Sequence, residues 1–178
     1  MAWSIVFVGI LVTAALSIVV TALRLGISPQ PSTRKARNAL LDLAPKEMRG
    51  NIAELGSGWG GLALALAKRY PQTPIYAYEL SFVPYLFSRL RLKLQGPDNL
   101  HFVREDFLAA DLSQTALIVT YLFPGGMDNI AEQLVPKLQR ETILLSNTFA
   151  LPGYTPQEKV ILPDLYRTPV YRYDLKPS

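Results

Sequence analysis

Four glycines fall within six residues in the segment ELGSGWGG, residues 54–61. An apolar stretch that predicts a strand comes before this segment, and residues 61–70, which predict a helix, overlap its end. Glycine at such a junction permits a positive φ and lets a ligand approach the backbone without meeting a Cβ. We therefore interpret the segment as a ligand-binding loop in an α/β domain, rather than as a structural turn.

The rest of the chain continues this alternation of strands and helices. Strands are predicted over 51–55, 74–79, 100–104, 116–122 and 142–148, and helices over 33–43, 61–70, 81–95 and 126–139. Residues 159–162 and 168–173 predict a C-terminal antiparallel hairpin. The pattern is typical of a Rossmann-like, mostly parallel sheet with helices on both faces. Only about ten residues separate the third and fourth strands, so either a turn replaces the usual crossover helix or the predicted strand bounds are off by a few residues.

The first 23 residues form an apolar run. Residues 1–23 contain 18 apolar side chains and no charged one. A helix of about 22 residues is about 33 Å long, enough for a hydrocarbon core of about 30 Å. A cleaved signal peptide would begin with basic residues, and a buried core helix rarely runs this long without a polar face. We predict a transmembrane helix over 1–23, a linker over 24–32 and a folded domain over 33–178.

The charge distribution predicts how this helix is oriented. The net charge of +4 lies wholly within residues 24–50, and the rest of the chain is balanced. Four basic residues follow the apolar run closely: Arg24, Arg34, Lys35 and Arg37. The positive-inside rule then places the N-terminus outside and the folded domain in the cytoplasm, most simply at an inner or plasma membrane. A short basic stretch does not form a basic domain, so we expect the bilayer as a partner and no nucleic acid.

Two ligand classes fit the glycine loop. Gly56, Gly58 and Gly61 satisfy the dinucleotide fingerprint G-x-G-x-x-G. Glu54 with the glycines at 56, 58 and 60 satisfies a second pattern, in which an acid precedes G-x-G-x-G. Here the sequence resembles the class I S-adenosylmethionine-dependent methyltransferases, over roughly residues 51–173. The resemblance implies S-adenosyl-L-methionine as cofactor, held by Gly56, Gly58 and Gly60, with Glu54 near its ammonium group.

Two further acids bear on this choice. Glu79 ends the second predicted strand and could accept hydrogen bonds from ribose hydroxyls, which a nicotinamide cofactor would also require. Asp106 follows the third strand, where the methyltransferase family places an acid that meets the adenine amino group; the alternative for Asp106 is a loop cap or a solvated acid. Together with Glu54 and the C-terminal hairpin, Asp106 favours the methyltransferase interpretation.

The methyl acceptor should bind beyond the fourth strand, near Tyr121, Phe123 and Pro124. Methyltransferases that act on amide or nucleobase nitrogens often carry Asn/Asp-Pro-Pro-aromatic there, and this chain lacks that pattern. Tyr121 and Phe123 could wall an aromatic slot for an amine, although either could instead belong to the core. We take these two residues and Pro124 as the candidate catalytic residues.

The Tyr-Leu-Phe-Pro segment and the apolar N-terminus together resemble one branch of the family. These are small, single-pass protein-lysine methyltransferases, relatives of those that modify the ATP synthase c-subunit and the adenine nucleotide translocase. The resemblance implies an enzyme that methylates a lysine of a membrane-associated protein. Two alternatives stay open: a lipid or small-molecule methyltransferase, since the segment 58–62 also resembles cyclopropane fatty-acid synthases, and a cofactor-binding module without turnover.

Overall fold

The computed structural model describes residues 3, 4, 6–9 and 32–177. The six described residues near the N-terminus are helical. Within these described ranges, no helix is both long enough and apolar enough to cross a membrane. Most of the predicted transmembrane helix over 1–23, and all of the predicted linker over 24–32 except Ser32, lie outside the described residues. The helix and its orientation therefore stay predictions.

Residues 51–175 contain a seven-stranded sheet in the order β3-β2-β1-β4-β5-β7-β6. The strands are β1 (Asn51–Leu55), β2 (Ile75–Tyr78), β3 (Leu100–Val103), β4 (Thr115–Thr120), β5 (Thr142–Asn147), β6 (Glu158–Ile161) and β7 (Pro169–Leu175). The pairings among β1 to β5 are parallel, whereas β7 is antiparallel to both β5 and β6. The mostly parallel sheet and the C-terminal antiparallel hairpin are thus confirmed. Since β2 ends at Tyr78 and β4 at Thr120, Glu79 and Tyr121 lie just beyond their strands.

Four α-helices connect or precede these strands. They are α1 (Arg34–Leu43), α2 (Gly61–Arg69), α3 (Phe82–Gln95) and α4 (Pro124–Asn129). At the start of α1, Thr33 caps the helix, because its hydroxyl accepts a hydrogen bond of 3.1 Å from the Ala36 N–H. Gly60, in the left-handed conformation, precedes α2.

The predicted helix over 126–139 is wrong in both its bounds and its form. The α-helix begins earlier, at Pro124, where the missing proline N–H is harmless in the first turn. It ends at Asn129 and continues as a π-helical turn, Ile130–Leu134, and a 3₁₀ turn, Val135–Lys137. Pro136 lies in the last turn, where it has no N–H to donate to a longer α-helix.

The helices pack on both faces of the sheet, as predicted. One hydrophobic cluster combines α1, α2 and the inner side of α3 with alternate strand residues such as Ile52, Ile75 and Leu117. The other combines α4 and the turns after it with the intervening residues, such as Ala53 and Ile118. This alternation follows from the two-residue period of a strand.

Turns connect β3 to β4, which is the first of the two alternatives that the short connection left open. The Ala109 N–H donates to the Asp106 carbonyl at 2.9 Å, and the Thr115 N–H donates to the Leu112 carbonyl at 2.9 Å. All the other parallel connections of the sheet carry a helix, so this one differs because of its length.

Candidate cofactor site

The glycine loop connects β1 to α2 through a backbone that only glycine adopts readily. Gly56, Gly58 and Gly60 have φ values of +75°, +52° and +73°. The N–H groups of Gly56 and Ser57 both donate to the Tyr78 carbonyl, at 3.0 and 2.9 Å. The loop is therefore fixed to the end of the neighbouring strand β2.

Glu79, just beyond β2, fixes the loop a second time. One oxygen of its buried carboxylate accepts a hydrogen bond from the Gly58 N–H at 2.8 Å, and the other accepts one from the Ser81 N–H at 2.7 Å. Hydrogen bonds to an ionised carboxylate are stronger than those between neutral groups. Glu79 therefore joins the glycine loop to the start of α3.

A second carboxyl group, that of Glu54, is buried at the end of β1. Burial raises its pKa well above the usual range, and the charge of Glu79 raises it further, while a hydrogen bond from the Ala63 backbone lowers it. Its Oε2 atom has no hydrogen-bond partner among the described residues. A cationic group bound beside Glu54 would favour its ionised form, so the residue suits the ammonium of S-adenosylmethionine.

Ser57 is a candidate that the sequence reasoning missed. Its hydroxyl is buried and, like Glu54 Oε2, has no hydrogen-bond partner among the described residues. Because buried polar atoms are almost always paired, two unpaired oxygens around one loop indicate a polar ligand. The only sequence signal was the position of Ser57 between two glycines of the motif.

The three motif glycines differ in what surrounds them. A Cβ built on Gly58 would meet no atom within 4 Å, whereas one on Gly56 would lie 2.7 Å from Leu122 Cδ2 and one on Gly60 2.5 Å from Phe102 Cζ. Gly58 thus leaves open space beside the loop that a ligand can use. Gly56 and Gly60 allow close packing within the protein.

Helix α3 supports the loop from the side. Ser88, buried on this helix, donates its hydroxyl proton to the Gly58 carbonyl at 3.1 Å. The rings of Trp59 and Phe87 meet edge to face at a centroid distance of 5.4 Å. Sequence reasoning missed Ser88, because a single serine between Phe87 and Arg89 in a predicted helix gives no motif signal.

Asp106 lies in the turn after β3, at the same edge of the sheet. Its side chain is exposed, and its Oδ1 atom accepts a hydrogen bond of 3.0 Å from the Leu108 N–H. This bond caps the turn and uses only one of the two carboxylate oxygens. The contact between Asp106 and adenine stays a prediction.

The predicted acceptor segment adjoins the glycine loop. The Thr120 hydroxyl donates to the Leu55 carbonyl at 3.2 Å, and the Leu122 side chain occupies the space beside Gly56. Of the three candidate catalytic residues, Tyr121 and Phe123 are half-buried and Pro124 is exposed at the start of α4. The structure thus places this segment next to the loop, at the carboxyl end of β4.

Comparisons with known proteins identify the family and relatives of this chain. Residues 54–158 match the family model described as the ANTKMT methyltransferase domain. A protein-lysine N-methyltransferase of Saccharolobus islandicus is 22% identical over 139 residues, covering 75% of this chain and 84% of that protein. A release factor glutamine methyltransferase of Koribacter versatilis is 38% identical over 53 residues, but the match spans only 19% of that protein.

Solved structures show the same fold. An RNA methyltransferase from Salinibacter ruber, in complex with S-adenosyl-L-homocysteine, superimposes with a TM-score of 0.74 at 23% identity. The match covers 84% of this chain and 95% of that one. Because the family model spans more than half of the chain, the chain belongs to the ANTKMT methyltransferase family and is a class I methyltransferase that uses S-adenosyl-L-methionine.

Proposed function

We propose that this enzyme is held at a membrane and methylates a lysine side chain of a membrane-associated protein. The family match and the Saccharolobus protein-lysine methyltransferase support the lysine acceptor. The observation that carries the proposed cofactor site is the loop itself. It combines open space at Gly58 with two buried oxygens, on Glu54 and Ser57, that lack protein partners.

The proposed cofactor residues are Glu54, Gly56, Gly58, Gly60, Glu79 and Asp106. When bound, S-adenosylmethionine supplies an electrophilic methyl group carried on a sulfonium. Glu54 would attract the cofactor's ammonium group, and Gly58 would let it approach the backbone. Glu79 retains lone pairs for the ribose hydroxyls beyond those used by Gly58 and Ser81. Asp106 would accept a hydrogen bond from the adenine amino group.

The proposed acceptor residues act by position. A lysine attacks only as the neutral amine, and an apolar surrounding lowers its pKa because burial disfavours the charged form. Tyr121 and Phe123 would provide that surrounding, exclude water and hold the amine in line with the methyl group. Pro124 would fix the backbone where the segment turns into α4.

Residues 1–23 are the proposed membrane anchor, followed by the linker 24–32 and the catalytic domain 33–178. The basic residues from Arg24 to Arg37 support an N-terminus outside and a catalytic domain in the cytoplasm. In this arrangement the domain stays close to the bilayer and meets substrates there.

A transfer assay tests the proposal. The full chain is incubated with methyl-labelled S-adenosylmethionine and host membranes, and protein is separated from lipid extract. We expect label in protein, recovered as methyl-lysine after acid hydrolysis. Glu79→Ala should abolish the labelling, and Glu141→Ala, at an exposed acid away from the loop, should retain it.

Other outcomes would contradict specific parts of the proposal. Label in the lipid extract would replace the protein substrate with a lipid. Label in protein on an amino acid other than lysine would refute the lysine acceptor but not the protein substrate. Cofactor binding without transfer to either fraction would support a binding module without turnover.

A further inference from the structure

Helix α3 presents an apolar face to solvent. Six large apolar side chains of this region are between 38% and 73% exposed: Leu80, Phe82, Leu86, Phe87, Leu90 and Leu94. At about 100° per residue, Phe82, Leu86, Leu90 and Leu94 form one stripe along the helix. The opposite side, which includes the buried Ser88, packs on the domain. Contiguous exposed apolar surface of this kind marks an interaction site.

Cations border this stripe on both sides. By the same helical geometry, Arg89 and Lys93 lie along one side and Arg91 along the other. Arg104 extends the border, since its guanidinium lies 5.2 Å from the centroid of the Phe82 ring. Residues 80–97 contain no Asp or Glu. Within residues 32–177 the one ion pair joins Arg172 to Asp174, so no described carboxylate lies within ion-pair distance of these cations.

We propose that the apolar face of α3 docks on the surface of an anionic lipid bilayer. A helix with an apolar stripe between basic borders lies in the interface, with its apolar side chains about 5–10 Å deep and its cations among the headgroups. The long Arg and Lys side chains reach outward to phosphate while their stems cover the apolar surface. Each basic residue near such a surface contributes about 1 kcal/mol.

Charge argues against the other occupants of this face. A second copy docked on it would bring two sets of cations together without a carboxylate from either helix. The apolar segment of residues 1–23 has no charged side chain and would leave the same cations unpaired. An anionic bilayer satisfies both features, because its acyl region covers the apolar stripe and its headgroups pair with the bordering cations.

The position of α1 supports the same surface. Arg37, in the first turns of α1, lies beside the glycine loop, since a Cβ on Gly61 would be 2.9 Å from its Nη1 atom. Helices α1, α2 and α3 share one face of the sheet. The proposed linker of nine residues spans at most about 30 Å, so an anchored chain holds α3 within reach of the bilayer.

The docked helix α3 would also lie in contact with the cofactor site. Phe87 on the apolar face contacts Trp59 of the glycine loop, and the adjacent Ser88 bonds to Gly58. The proposed surface therefore presents the methyltransferase site to the membrane in a fixed orientation, beyond simple tethering. This inference relies on the membrane placement in the proposed function but not on the lysine acceptor.

Single cysteines test the inference, because the chain has no natural cysteine. An environment-sensitive fluorophore is attached at Leu90→Cys or Leu94→Cys in the full chain, with Gln133→Cys as the control. Gln133 is exposed on the turns that pack on the opposite face of the sheet. Each protein is added to vesicles of phosphatidylcholine with phosphatidylglycerol, or of phosphatidylcholine alone, containing nitroxide-labelled lipid. We expect the two α3 labels to shift to the blue and to be quenched severalfold more than the control in anionic vesicles.

Charge variants sharpen the test. Replacing Arg89, Arg91 and Lys93 by Gln, one at a time, should lower the ratio of docked to undocked protein roughly fivefold each. Equal quenching at α3 and Gln133 would overturn the inference, and so would a chain that stays in the aqueous phase. Blue shifts that depend on protein concentration without lipid quenching would assign the face to a second copy.

The same samples separate this inference from the proposed function. Docking without methyl-lysine formation would contradict the lysine substrate and leave the α3 surface intact. Methyl-lysine formation without lipid quenching at α3 would contradict the α3 surface and support the lysine substrate.

Discussion

The substitution Gly58→Ala separates the ligand-binding role of the glycine loop from its folding role. A Cβ at Gly58 meets no protein atom within 4 Å, so the change introduces no steric clash in the free protein. The remaining effect is backbone strain, because a residue with a side chain rarely adopts the φ of +52° found at Gly58. This strain should lower the free energy of unfolding of the variant by about 1–2 kcal/mol. In a chain of 178 residues this corresponds to a fall in Tm of about 2–8 °C.

Gly153→Ala is the matched control. Gly153 has a φ of +76° and equally open surroundings, but it lies in the loop between β5 and β6. The two variants should therefore lose similar stability, and only Gly58→Ala should weaken cofactor binding. The added methyl group of Gly58→Ala would lie in the space that the bound cofactor takes up, which disfavours binding by about 1–3 kcal/mol. This is roughly a 5- to 150-fold rise in Kd.

Thermal unfolding measures the stability of each variant and shows that it is folded. Calorimetric titration with S-adenosylmethionine then measures its affinity for the cofactor. The larger Gly58→Val should abolish detectable binding. An unchanged Kd in folded Gly58→Ala would refute the assignment of the open space beside Gly58 to the cofactor. Equal weakening in Gly153→Ala would show that backbone strain, rather than the position of the methyl group, controls affinity.

Three further substitutions test the buried polar groups. Because the pKa of Glu54 is raised in the folded protein, the stability of the cofactor-free protein should fall as pH rises through that pKa. Glu54→Gln should flatten the profile of Tm against pH. Parallel profiles for the variant and the unsubstituted protein would contradict this reasoning. Glu79→Gln removes an acceptor from one of two backbone N–H groups, so we expect a loss of about 1.5–3 kcal/mol in urea unfolding and weaker cofactor binding, with Glu141→Gln unchanged. Tyr173→Phe leaves the buried Leu151 N–H unpaired and should lower unfolding free energy by about 1–3 kcal/mol without changing kcat; an equal loss of kcat would place Tyr173 in the site instead.

The sequence predicted the elements whose local chemistry determines their structure. The glycines between β1 and α2 are readable from residue type and spacing, as is a helix cap at Ser32 or Thr33, which the structure places at Thr33. Pro136 was a readable sign that an α-helix could not continue to residue 139, whereas the π-helical and 3₁₀ form of the turns after α4 was not readable. Periodicity does not distinguish those forms over a few residues.

The acids and glycines of the candidate site could be predicted from the sequence, whereas its serine hydroxyls could not. Glu54 and Glu79 occupy motif positions, whereas Ser57 became a candidate only when its hydroxyl proved buried and unpaired. The apolar face of α3 was missed for a related reason. Leu and Phe occur nearly all round this helix, so the sequence alone does not show which side the sheet covers.

The position of β7 has a consequence for how the domain is synthesised. It is the last strand in chain order, yet it lies between β5 and β6, with Val170 and Tyr173 buried. The parallel half of the sheet can form as the chain emerges from the ribosome, but β5 has an unpaired edge until β7 arrives. Until β7 is synthesised, the edge of β5 is therefore open to pairing with other strands, although the residues of the cofactor loop have already been synthesised.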